Sequence, residues 1–323
     1  MHYHTVGRLT AAANPSLFIH PANSFSFQIL MTSRLLKLTA CASAALFVFS
    51  ACQGTAIDNT TSSAADSKES AEPEDSTIVS FPLSESVMSS SETYRLTDSK
   101  DSTFVRYIVL STSVQWPESL GKFKIDNLRD SIISTTFGPQ APKEIKKAIR
   151  QSVTGLANYG LDDNAEKIDT VPAAEEAGQY YVTRTLQLIE CTQETVTYSA
   201  TFAEYLGGAH PNSGATPFSF ILSSDRPVTF DFLFLPDAMK TLQPMILESI
   251  ALSKSISVEE LQQALLNTPD AITNNVYLLN GMIAFHYNPY DILPYSYGPS
   301  EAFIMPDDIA SLLTPEAKRL LIE

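Results

Sequence analysis

The sequence predicts an α+β fold in which mixed and antiparallel sheets carry packed helices, arranged as two consecutive subdomains over residues 77–215 and 216–323. Three observations lead there. Runs rich in β-branched and aromatic residues alternate irregularly with segments whose apolar residues recur at helical spacing. The strands come in hairpins rather than in the strand–helix–strand rhythm of a parallel sheet. No stretch repeats at a fixed period.

Order is expected from Thr77 onward. Ser102–Gln115, with its Phe-Val-Arg-Tyr-Ile-Val-Leu core, reads as a long strand. Ile125, Leu128, Ile132 and Ile133 share one helical face, and Gly138-Pro139 stops that helix. Pro142 opens a second helix, which turns Ile145, Ile149, Val153 and Leu156 inward and closes around Gly160. Tyr180–Ile189 and Thr195–Tyr205 form a strand pair, and Leu206–Pro217, rich in Gly, Pro and Asn, reads as a loop. Phe218–Leu222 and Pro227–Phe234 are expected as strands across the turn Ser223–Arg226. Met239, Leu242, Met245, Ile246 and Ile250 stripe the next helix, and Ser257 with Glu260 makes a capping box for another, ending near Asn267. Tyr277–Leu279 and Met282–Phe285 flank Asn280-Gly281, a strong hairpin signal. Asp307–Ile322 reads as one or two short helices.

Upstream of Thr77 the chain reads as an address and a tether. Arg34 and Lys37 precede the apolar run Leu38–Phe49, which is too short to span a bilayer, and Ser50-Ala51 lead into Cys52. That ending resembles a bacterial lipobox, which implies acylation of Cys52, a membrane anchor, and a place in the bacterial cell envelope (outer membrane, periplasmic or surface-facing). Met31 opens the signal, and residues 1–30 read as an upstream extension. Residues 52–76 read as a disordered tether, because Gln53–Ser76 holds six acids, five Ser, three Thr and one large apolar residue, Ile57.

The chain of 323 residues has 36 acidic against 21 basic side chains, a formal net charge of −15. Cleavage before Cys52 removes Arg8, Arg34 and Lys37 and no acid, which raises the excess to 18. Such a balance excludes a general nucleic-acid binder and favours a cationic partner. With Cys52 acylated, Cys191 has no partner for a disulfide.

Catalytic and metal motifs are missing from the sequence. His210 and His286 are the two histidines left after cleavage, with no His-x-x-x-His or Cys-x-x-Cys spacing, so no metal and no cofactor are expected. There is no Gly-x-Ser-x-Gly elbow and no phosphate-cradling glycine loop. Cys191 with His210 has the residue types of a thiolate–base pair, but Cys191 reads more simply as a small buried hydrophobe. The acidic pairs Asp162-Asp163 and Glu175-Glu176 read as solvated loop charge. The expectation is a protein that is not an enzyme.

Three stretches carry a family resemblance. They are Trp116-Pro117 followed by Gly121, the turn Tyr205-Leu206-Gly207-Gly208-Ala209-His210-Pro211, and the run Asn288-Pro289-Tyr290-Asp291-Ile292-Leu293-Pro294-Tyr295-Ser296-Tyr297-Gly298. Together they resemble the paired domains of unknown function 4163 and 3298 in the extracellular part of RsiV-type anti-sigma factors. The same pair accompanies the catalytic domain of the peptidoglycan deacetylase PdaC. The resemblance implies a 4163-like domain over residues 77–215 and a 3298-like domain over 216–323. It also implies binding of lysozyme or another cationic wall-active protein or, as the alternative, of peptidoglycan. The chain differs from RsiV in having no spanning helix or sigma-binding segment, and from PdaC in having no deacetylase domain.

The residues expected to meet a ligand are His210, Pro211, Asn212, His286, Tyr290, Asp291, Tyr295 and Tyr297. Gly207-Gly208 makes a tight turn that either buries His210 as a backbone cap or presents it to a partner. The tyrosines around Pro289 and Pro294 either pack on the sheet or offer broad, rigid contact area.

Overall fold

A computed structural model describes residues 83–97, 105–161, 165–169, 179–267 and 275–323. The leader with Cys52, the tether, and the pairs Asp162-Asp163 and Glu175-Glu176 lie outside the described residues. The fold is α+β. A seven-stranded mixed sheet has the order β3-β1-β2-β4-β5-β6-β7, and a three-stranded antiparallel sheet the order β10-β9-β8.

The large sheet begins with β1 (Leu83–Thr97) and β2 (Val105–Leu120), antiparallel along their whole length. The chain then forms α1 (Asp126–Phe137), α2 (Ile145–Thr154) and a 3-10 turn (Leu156–Tyr159) before β3 (Ala165–Ile168) pairs on the outer edge of β1. β4 (Gln179–Cys191) returns on the other side of β2, and this is the one parallel pairing in the sheet. β5 (Thr195–Tyr205), β6 (Asn212–Ile221) and the short β7 (Arg226–Pro227) extend it by antiparallel pairing.

Helix α1 starts without a cap of its own. Asp225, in the turn between β6 and β7, closes it from a distance: its carboxylate accepts from the amides of Asn127 at 2.8 Å and Leu128 at 3.0 Å. Leu128, Ile132 and Ile133 of α1 and Ile145, Ala148 and Ile149 of α2 then pack on Val114, Leu186, Tyr198 and Phe220 of the sheet.

The second layer follows with α3 (Phe230–Leu233), α4 (Met239–Lys254) and α5 (Val258–Ala264), then β8 (Val276–Leu279), β9 (Met282–Tyr287), β10 (Ser300–Ile304) and α6 (Pro315–Leu321). The stripe Leu242, Ile246 and Ile250 of α4 lies in one core cluster with Ile283, Phe285 and Ile304 of the small sheet. Ser257 Oγ accepts from the Glu260 amide at 3.1 Å, the capping box expected for α5. No described helix is long and apolar enough to cross a membrane.

Two expectations are corrected. Pro227–Phe234 is not a strand. Only Arg226–Pro227 pairs with β6, and Thr229 Oγ1 accepts from the Phe232 amide at 3.2 Å, which starts the single turn α3 and buries Leu233. Leu206–Pro217 is a loop only as far as Pro211. From Asn212 the chain pairs with β5 across Glu204↔Asn212 to Ser199↔Pro217, and β7 reaches only Phe220 and Ile221, so Pro217 withholds its missing N–H from no ladder on the open side.

Candidate recognition site around His210 and Tyr290

The site is assembled by two turns at the same end of the molecule. The first leaves β5. Gly207 and Gly208 both hold positive φ, and a side chain on Gly207 would meet the Tyr180 hydroxyl at 3.1 Å. The Tyr205 hydroxyl donates to the Gly208 carbonyl at 3.1 Å. His210 follows, exposed, with Nδ1 at 2.9 Å from the Pro211 carbonyl. A carbonyl only accepts, so Nδ1 carries a proton in this contact.

The second turn leaves β9 at Asn288-Pro289-Tyr290-Asp291. The Asp291 amide donates to the Asn288 carbonyl at 3.0 Å, and the Asp291 carboxylate accepts from the Asn288 amide at 2.8 Å. Pro289 has the φ the second turn position needs, while Tyr290 at the third adopts φ +73, a region that favours glycine. Buried Ile292 and Leu293 pin the far side of the turn, and Leu293 accepts from the Tyr290 amide at 2.9 Å.

The Asn288 side chain docks this turn on β6, accepting from the Ala215 amide at 2.7 Å and donating to its carbonyl at 3.0 Å. That orientation leaves Asn288 Oδ1 facing His286 Nε2 at 3.2 Å. His286 Nδ1 lies 3.2 Å from Glu301 Oε1, to which the Tyr277 hydroxyl also donates at 2.9 Å. Burial alone pushes the Glu301 carboxyl up. The hydrogen bond and charge of His286, aided by Tyr277, outweigh it and hold the carboxyl below the usual glutamate range.

Three rings meet where the turns meet. The His210 and Tyr295 rings stack with centroids 3.9 Å apart and planes 20° from parallel. Tyr290 and Tyr295 lie 5.8 Å apart, and the Tyr290 hydroxyl is 3.4 Å from His210 Nε2. The Tyr295 hydroxyl donates to the Pro211 carbonyl at 3.2 Å. Tyr290 is 54% exposed. The result is an open aromatic platform, bordered by Asp291 and by Glu204, which accepts from the Asn212 side chain at 3.1 Å.

The eight residues singled out from sequence therefore divide. His210, Pro211, Tyr290 and Tyr295 are in direct contact. Asn212 and Asp291 shape the two turns beside them. His286, 5% exposed, is an internal support. Tyr297 packs against the core of the small sheet, and its carbonyl accepts from Lys254 Nζ at 2.8 Å. Sequence reasoning missed Asn288 as the docking residue and Glu301 as the partner of His286. Asn288 opens the Asn288–Gly298 run that was singled out, but nothing local to Glu301 pointed to it.

The contacts of His210 with described residues are Pro211, Tyr290 and Tyr295, none of them a serine, cysteine or acid. Cys191 pairs with Val196 at one end of β5, while His210 lies beyond Tyr205 at the other, about 30 Å away for an extended strand of this length. Burial first, then the charges of Glu85 and Glu190, push the Cys191 thiol up to about 11, so it stays protonated at neutral pH. Among the described residues no three His, Cys, Asp or Glu side chains converge on a metal position.

Comparison with known proteins places part of this site in a family. The sequence model of the family described as "Protein of unknown function (DUF3298)" matches residues 231–305. The chain thus carries a DUF3298 domain, running from α3 to β10 and containing the Tyr290 turn but not His210. The crystal structure of a DUF3298 family member from Bacteroides fragilis is similar at a TM-score of 0.56 and 22% identity, covering 75% of this chain and 98% of that one. A DUF3298 family protein from Pseudomonas aeruginosa gives 0.49 and 14%, over 73% and 96%. In sequence, the chain is 26% identical over 179 residues to a Mycobacterium tuberculosis protein named Esterase Rv3036c, over 53% of this chain and 73% of that protein.

Proposed function

We propose that this protein is a non-catalytic binding module of the bacterial envelope, lipid-anchored through Cys52, whose recognition surface is the platform of His210, Tyr290 and Tyr295. The observation that carries the reading is the exposed stack itself: rings from two segments 80 positions apart are held against each other at the surface. Flat tyrosine and histidine faces bordered by acids suit lysine and arginine side chains, and the chain's net charge of −15 draws a cationic partner to it. The pairing of a 4163-like with a 3298-like domain, as in RsiV-type proteins, points to a lysozyme-like protein as that partner. Peptidoglycan is the alternative ligand, since sugar rings stack on the same kind of surface. Association rates with a lysozyme, measured at low and high salt, test the reading: they should fall steeply as salt rises, and a flat profile removes the electrostatic argument.

A second reading is esterase activity, favoured by the name of the Mycobacterium tuberculosis relative and by the exposed His210 ring. Hydrolysis of p-nitrophenyl acetate that disappears in His210→Ala would establish it in place of the first.

A further inference from the structure

Along β2 from Ile108 to Val114 and along β4 from Val182 to Leu186, the helix-covered face of the large sheet is apolar except at one level. Val114, Leu186 and Ala200 belong to one core cluster, and Ile108, Leu110 and Val182 to another. Between the two lie Thr112 and Arg184, register neighbours on β2 and β4. Helix α2 divides at the same height, with Ile149 in the first cluster, Val153 in the second and Ser152 between them. Ser152 Oγ donates to the Ile149 carbonyl at 2.7 Å, so Thr112 is the donor in their 2.7 Å contact. A polar seam thus crosses the core at the middle strand of the sheet.

The seam opens into a cavity of about 200 Å³. Arg184 lines it, half-buried, and makes no hydrogen bond or ion pair with any described residue. Phe137, Pro142 and Ala148 give the cavity an apolar wall, while Gln151, Asn158 and Tyr159 offer neutral hydrogen-bonding groups. Among the described residues none that lines it is acidic, although acids outnumber bases by 15 in the chain. The last carbonyls of α1, near Phe137, carry only partial negative charge, less than the full charge of a guanidinium. A half-buried cation set in a polar break of the core, with a cavity in front of it, is a setting that suits a small anion.

We infer that this cavity binds a small carboxylate bearing a short apolar substituent. Arg184 holds the carboxylate through two parallel N–H···O bonds, the geometry a planar guanidinium matches and a lysine does not. The substituent lies against Phe137, Pro142 and Ala148. The inference is independent of the ring platform.

Calorimetric titration of the full-length protein tests it with N-acetyl-alanyl-alanine, its C-terminal amide, butyrate and inorganic phosphate. At least one of the two carboxylates binds, the amide binds at least tenfold more weakly than the peptide acid if the source is a peptide terminus, and butyrate alone binds if the source is a free acid. Arg184→Gln abolishes that binding and Arg184→Lys weakens it at least tenfold, both with melting temperatures near that of the unaltered protein. Silence of both carboxylates, equal binding of acid and amide without butyrate, tighter binding of phosphate, or full binding by Arg184→Gln each overturns the inference. Should Arg184→Gln not fold, the ligand comparison on the unaltered protein still decides.

Discussion

His286 and His210 serve the same turn from opposite sides, and the contrast between them separates framework from contact surface. His286 is buried, and each of its ring nitrogens faces a fixed acceptor, Glu301 on one side and Asn288 on the other. His210 is exposed, has one nitrogen satisfied by its neighbour's carbonyl, and turns the other toward the Tyr290 hydroxyl. Between them runs Asn288–Asp291, docked on β6 by Asn288 and carrying Tyr290 outward. Residue type says little about role here. Burial and the number of committed hydrogen bonds say more.

The strongest break in that contrast is His286→Ala. It leaves the half-buried Glu301 carboxylate without its main partner and removes one of the two contacts of Asn288 Oδ1, so the domain should lose roughly 2–3 kcal/mol in urea unfolding. His210→Ala should stay within about 0.5 kcal/mol of the unaltered protein, as expected for an exposed side chain. Equal losses would abolish the distinction. Gly214→Ala comes next. Its new Cβ would lie 2.6 Å from the Phe202 ring and 3.0 Å from Asn288 Oδ1. Phe202 is exposed enough to move, but Asn288 is not free to do so, and a loss of about 1–2 kcal/mol should appear in thermal unfolding.

Acid provides a third probe. The Glu301 carboxyl is held below its ordinary value in the folded state, so its stabilising contribution is fully present above the ordinary glutamate pKa. It is lost as pH falls below about 4.5 through the lower folded value. Glu301→Gln should therefore flatten the stability–pH profile in that window. An unchanged slope would mean that His286 and Glu301 are not coupled. The smallest effect concerns Tyr290, whose positive φ is unfavourable for any residue with a Cβ. Tyr290→Gly should stabilise by about 0.5 kcal/mol after the added freedom of the unfolded chain is subtracted. If the ring is there for recognition, the same change weakens binding, so stability and affinity move in opposite directions.

Much of the fold could be read from local signals. The helices α1, α2 and α4, the capped α5 and the β8–β9 hairpin are each set by spacing, caps or an Asn-Gly turn within the segment. What escaped was set by partners. β1 is rich in serine and shows little apolar pattern, yet it pairs with β2 over fifteen residues. The first part of β6, Asn212–Pro217, reads as a loop by composition and becomes a strand because β5 offers a register for it. Thr229 to Phe234 alternates like a strand, but a threonine cap decides for a helical turn. The site followed the same rule. His210, Tyr290 and Tyr295 were picked out one at a time, whereas their convergence depends on Asn288 meeting Ala215 across 73 positions. Arg184 carried no signal at all in sequence, since the setting of a half-buried charge is visible only once its surroundings are known.

The most direct test of the central claim is the affinity of the full-length protein for a lysozyme, measured by calorimetry for the unaltered protein, for Tyr290→Ala, and for Tyr297→Phe as an internal control. The platform predicts at least a tenfold loss for Tyr290→Ala with an unchanged melting temperature, and no change for Tyr297→Phe. Unaltered binding by Tyr290→Ala would contradict it and would place the recognition surface elsewhere on the molecule.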